Sequence, residues 1–213
     1  MSTITITIYE ALAKKKILES QLDNLRNYQL VYAKKKYADE TADGSPISDL
    51  EKKIQSDYNK SVSLMKNYAA VKAAINEANA RTKVSIAGKE YSIANAIARQ
   101  RNLNKEESMY RSMVTQYNNV EQAVRRSNER NLSADAISAY IQKTSNGTKM
   151  SEELVRELTE EYKKRFEVEI YDPMKTKETA ENALEEIKKF REEIHFALTQ
   201  ANINTMITVE LED

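Results

Sequence analysis

The side chains best suited to chemistry in this chain are acids and a single histidine. His195 follows Glu192 and Glu193, and carboxylates beside an imidazole raise its pKa or share a metal ion with it. A metal centre needs several convergent ligands, and the chain has no second histidine and no cysteine. A surface or packing role is therefore expected for His195, with no metal. The pairs Glu106/Glu107, Glu152/Glu153, Glu160/Glu161 and Glu185/Glu186 have the residue type of acid–base or di-metal centres. They lack the Glu-x-x-His partners of a di-metal bundle. Neighbours on a helix also point about 100° apart, so these pairs are expected on solvated faces.

Basic residues offer a second chemistry. Lys14 to Lys16, Lys34 to Lys36, Arg99, Arg101, Arg125, Arg126 and Arg130 could attract phosphate without reading sequence. Acids are interspersed, net charge is zero and no recognition motif is present, so nucleic acid is not the expected partner. The 12 tyrosines are explained by core packing with the hydroxyl at the rim. With 3 glycines, the chain has no phosphate-binding loop, dinucleotide fingerprint or nucleophile elbow. The sequence therefore reads as non-enzymatic, with no cofactor and no small-molecule substrate.

The scaffold that would position these residues is helical. Charged residues make up 31% of the chain and mean hydropathy is −0.70, which suits long helices with solvated faces. Two alternating runs, Ile4-Thr5-Ile6-Thr7-Ile8 and Ile207-Thr208-Val209-Glu210-Leu211, read as half-buried strands at the two ends. Between them, helical stripes predict long helices over 10–36, 46–80 and 92–130, the last two each about 50 Å long. In the first, Leu18, Leu22, Leu25 and Tyr32 carry the stripe. Ser45-Pro46 is expected to start the second, and a hairpin is expected at 83–93, turning at Gly88. Shorter helices are expected over 133–172, capped by Ser133 and Ser151 with a stop at Asn146-Gly147. Asp172-Pro173 then opens a last helix over 173–202, and a strand follows at 206–212.

The fold expected is mainly α: one elongated domain, 1–213, an antiparallel bundle or hairpin of long helices. A small sheet is formed by the terminal strands and the central hairpin, and the helical stripes fit a bundle core or a coiled coil. The candidate interaction strands are Ile4, Ile6, Ile8, Val84, Ile86, Tyr91, Ile207, Val209 and Leu211. Strand edges left unpaired would invite strand addition by a neighbour. Charge is uneven along the chain: 24 basic against 16 acidic residues over 1–150, and 9 against 17 over 151–213. That asymmetry favours salt-sensitive folding back or head-to-tail association. Absence of cysteine fits folding in a reducing compartment, and no stretch has the length of a signal peptide core or membrane span, so no membrane is expected.

The stretch from Val84 to Ile97 (VSIAGKEYSIANAI), with Asp172-Pro173, Ala201-Asn202 and the terminal Ile207-Thr208-Val209-Glu210-Leu211, resembles a group of phage virion-associated helical proteins. The middle portion with Asn76, Asn79 and Thr82 more distantly resembles septicolysin-like helical proteins. The first resemblance implies a structural or accessory component of a tailed-phage virion, assembled in the host cytoplasm, whose partners are other virion proteins or copies of itself. A cytoplasmic adaptor or assembly chaperone absent from the finished particle is the alternative, and a nucleic-acid-contacting packaging protein a weaker one.

Overall fold

The computed structural model describes residues 2–25, 28–36, 41–146 and 148–212. It is mainly α, 73% helical, with six helices and three two-stranded antiparallel ladders among these residues. The order is β1 (Ser2–Thr7), α1 (Ile8–Asn24), β2 (Thr41–Ala42), β3 (Ser45–Pro46), α2 (Ile47–Arg81), β4 (Lys83–Ile86), β5 (Lys89–Ser92), α3 (Ile93–Asn131), α4 (Ala134–Ser145), α5 (Glu152–Phe166), α6 (Thr176–Asn204) and β6 (Met206–Leu211).

The chain divides into two compact units: Met1–Arg101 with Lys189–Asp213, and Asn102–Lys188. The division falls inside α3 and inside α6. Helices of 39 and 29 residues are about 58 and 44 Å long, more than one small core can cover.

In the first unit, β1 pairs with β6, and α1 and β6 both pack on α2. The hairpin β4–β5 is a separate ladder, so the expected shared sheet is two ladders in the same unit. Ala87 and Gly88 both have positive φ, 51° and 73°, the turn geometry whose twist matches a two-residue hairpin. A third ladder, β2–β3, turns at Asp43 and Gly44 with φ of 50° and 76°. The Asp-Gly pair signals such a turn, where the sequence is expected only to start α2 at Ser45-Pro46. Ser45 instead lies in β3, and Pro46 precedes α2 without a side-chain cap.

The first helix begins two residues earlier and ends twelve earlier than its stripe predicts. At its start, Thr7 and Glu10 form a capping box: Glu10 N–H donates to Thr7 Oγ1 at 3.1 Å and Thr7 N–H to Glu10 Oε2 at 2.8 Å. Ile8 is thereby a helical residue, fully buried, rather than part of the strand. At the other end the stripe runs out of core, because residues 28–35 have no regular structure and Val31 is 82% exposed.

The second unit joins the later part of α3 to α4, α5 and the first part of α6. Ser133 and Ser151 cap α4 and α5 by accepting from Ala136 N–H and Leu154 N–H, and Asn146 ends α4 in the left-handed region at φ 48°. Gly147 lies outside the described residues. α6 starts at Thr176 rather than 173, because the Asp172 carboxylate reaches forward to the Thr176 N–H (2.6 Å) and hydroxyl (2.7 Å). Tyr162 is the buried centre of α5, against Tyr140 and Phe166 with ring centroids 4.9 and 4.5 Å away.

Candidate functional site

The paired chain ends form the candidate site. Strand alternation puts Ile4 and Ile6 on the same side as their partners Val209 and Ile207, with Leu211 beyond them. On that side Ile207, Val209 and Leu211 are buried and Ile4 and Ile6 half-buried. The other side carries Thr3, Thr5, Met206, Thr208 and Glu210, all exposed, and the Thr5 and Thr208 hydroxyls lie 3.4 Å apart across the ladder. The end strands therefore pair within one chain, and their isoleucine, valine and leucine side chains face the core while Met206 is exposed. What stays exposed is a threonine-rich face that also carries Met206 and Glu210.

One edge of the ladder is partly closed. Beyond β6, the Asn67 side-chain amide on α2 donates to the Glu212 carbonyl at 2.9 Å and accepts from the Glu212 N–H at 2.7 Å. Lys66 Nζ lies 2.6 Å from the Glu212 carboxylate. The asparagine thus stands in for a neighbouring strand. Nearer the start of β6 a groove of about 360 Å³ separates Met206 and Thr208 from Ala74, Ala78, Arg81 and Thr82.

Val84, Ile86 and Tyr91 lie on the separate hairpin. Val84 and Ile86 are buried, and Tyr91 meets Phe190 edge-on at 5.4 Å and 75°. The Arg99 guanidinium stacks over the Phe190 ring at 4.7 Å and donates to the Tyr91 hydroxyl. Glu193 accepts from the Ala87 N–H at 2.7 Å and so holds the hairpin turn. Its neighbour His195 is exposed on α6. Among the described residues no three His, Asp or Glu side chains are grouped to hold a metal ion, and no helix is long and apolar enough to cross a membrane.

Electrostatics at the site is local. The Thr7 N–H, and then the Thr7 hydroxyl, hold Glu10 below its ordinary 4.5. Between α1 and α2, Tyr68 donates to Glu19 at 2.8 Å with Lys15 3.1 Å from the same carboxylate. The tyrosine hydroxyl first, and Lys15 next, lower Glu19, and the carboxylate raises Tyr68. Lys15 and Lys72 both sit over the Tyr68 ring, at 5.9 and 5.8 Å. In space the charge asymmetry of the sequence is smaller: the first unit holds 19 basic and 16 acidic residues, the second 14 and 17.

Sequence reasoning missed two contributors. The Thr7–Glu10 box was visible as a Thr-x-x-Glu spacing before an apolar run. The Asn67 contact with Glu212 spans 145 positions, and no local pattern marks it. Comparison with family models, characterised proteins and solved structures gave no match to this chain.

Proposed function

We propose that this chain is a non-enzymatic structural or accessory protein that acts through protein–protein contacts, with a tailed-phage virion as its setting. The observation that carries the reading is the ladder of chain ends. It ties both end strands to α1 and α2 and leaves an exposed, threonine-rich face beside two strand edges. Such an edge is a template for main-chain pairing, and repeated contacts of this kind suit an assembly. The resemblance of the Val84 to Ile97 stretch and the last strand to virion-associated helical proteins supports the setting. Other virion proteins, or copies of this chain, are the partners under this reading.

The test is the protein content of purified particles, paired with a Thr5→Lys/Thr208→Lys variant. Both positions are exposed, so the variant is expected to keep its circular dichroism and to lose incorporation. Incorporation at the wild-type level removes the ladder face from the role. Absence of the wild-type chain from finished particles replaces the structural role with that of an adaptor or assembly chaperone.

A further inference from the structure

Two segments without regular secondary structure carry the most exposed large apolar side chains among the described residues: Val31 at 82% and Tyr171 at 88%. Their charges are opposite. Residues 28–36 contain Lys34, Lys35 and Lys36 and no acid, whereas residues 167–172 contain Glu167, Glu169 and Asp172 and no base. Both are rich in β-branched and aromatic residues, Leu30-Val31-Tyr32 in one and Val168-Glu169-Ile170-Tyr171 in the other, a composition that favours strands. Neither pairs with a strand of its own chain among the described residues.

The acidic segment is already shaped as an edge. Asn128 on α3 donates to the Val168 carbonyl at 2.7 Å and accepts from the Val168 N–H at 2.8 Å. In an extended chain, successive residues direct their main-chain groups to opposite sides. With Val168 turned to Asn128, an extended course through 168–171 would turn residues 169 and 171 the other way, and their N–H groups have no partner among the described residues.

We infer that this protein self-associates head to tail, residues 30–34 of one copy pairing as an antiparallel strand with residues 168–172 of the next, while the Glu167 N–H stays with the Lys163 carbonyl. The inference deepens the reading of this chain as a structural scaffold protein and rests on it. Burial selects the register. Exposed Val31 lies opposite exposed Tyr171, half-buried Tyr32 opposite half-buried Ile170, and, just past the ladder, Lys35 opposite Glu167 and diagonal to Glu169. Opposite charges at those spacings attract across a ladder. The Val31 carbonyl is held by the Gln29 side chain at 3.2 Å, a bond that strand pairing replaces. Because the two surfaces differ, the contact is heterologous and yields rings or open filaments. Two such short strands bury less than the roughly 1,200 Å² of a stable pair, so the contact is weak singly and persistent only when repeated. Exposed charge pairs also make it salt-sensitive.

The test is mass in solution by light scattering, with three proteins. Wild type is expected above 24.4 kDa, falling toward that value as salt rises. Lys35→Glu/Lys36→Glu and Glu167→Lys/Glu169→Lys are each expected to stay at the monomer mass, and their mixture to regain the oligomer, since each then presents what the other needs. The native chain has no cysteine, so a mixture of Val31→Cys and Tyr171→Cys chains is expected to form a covalent heterodimer under mild oxidation; hydrogen-bonded antiparallel partners are about 5.5 Å apart, within disulfide reach. Association that survives both charge reversals overturns this pairing while leaving the scaffold reading in place. A wild type that is monomeric at every salt and protein concentration also overturns it, and the scaffold reading is then decided by particle content alone.

Discussion

The two units use the same asparagine device on different foundations. In the first, Asn67 holds the main chain of Glu212, the residue after β6, and β6 is also paired with β1 and packed on α2. In the second, Asn128 holds the main chain of Val168 in the same two-bond way, but the segment it holds has no strand partner among the described residues. The foundations differ in core. Of the 20 hydrophobic side chains buried among the described residues, 16 lie in the first unit and only Leu103, Tyr162, Ala180 and Ile187 in the second. The stripes of α4 and α5 are sharper than those of α1 and α2, yet they bury less. A stripe stabilises only where another element covers it, and the first unit gains that cover from the chain ends and the hairpin.

The comparison can be broken at its foundations first. Val209 is 2% exposed, and Val209→Asp places a carboxylate among Ile207, Ile4 and α2. A loss of about 4 kcal/mol or more is expected, among the largest for a point change. Ile6→Asp, at a half-buried position, is expected to cost less. Denaturant midpoints rank the two, and equal losses would mean that β1 is as enclosed as β6.

Phe190 is fully buried between Tyr91 and Arg99. Phe190→Ala is expected to cost about 3–5 kcal/mol, the usual range for a core phenylalanine. Tyr162→Ala, in the thinner core, is expected to cost less and to disturb α4 and α5 alone. Amide exchange checks both, since β6 and the α2 amides near Val71 should be protected more strongly than α4 and α5. The reverse order would remove the contrast between the units.

The two asparagines sharpen the comparison at a smaller scale. Each Asn→Ala change removes two hydrogen bonds, about 1–3 kcal/mol at the usual net value per bond. After Asn67→Ala, Glu212 is freed while β6 stays paired. After Asn128→Ala, residue 168 loses both of its main-chain partners. Faster exchange at Val168 in the second variant, against unchanged exchange along β6 in the first, is the expected result. Proton exchange near Glu212 spreading into β6 would show that Asn67 secures the ladder rather than its end.

The smallest effect concerns pH. Glu10 is held below 4.5 in the folded chain by Thr7, so its contribution is complete above the unfolded value and is lost as pH falls through the lowered folded value. Wild type is thus expected to lose its advantage over Glu10→Gln below about pH 4.5. A difference between the two that is constant from pH 3 to 7 would show that the capping box does not depend on the carboxylate charge.

Much of the fold was legible before any coordinates. The mainly α class, the terminal strands, the hairpin turn at Gly88 and the caps at Ser133 and Ser151 all follow from local chemistry: alternation, a residue free to take positive φ, and hydroxyls that satisfy open helix N–H groups. The candidate strands were legible as strands, but what they pack against was not. Alternation shows that one face is buried, not what buries it, and Ile207, Val209 and Leu211 proved to face their own core. The early end of α1 was also illegible, because Leu22 and Leu25 continue a helical period without deep burial.

The amino-acid order by itself determined the local elements, since capping, turn geometry and side-chain period act within a few residues of one another. Only the tertiary structure decided that residue 2 meets residue 211, that Asn67 and Asn128 each grip a distant main chain, and that α3 and α6 each contribute to two compact units. Those outcomes depend on which apolar faces can be covered together in space, and that competition among distant parts of the chain has no signature in any short stretch of it.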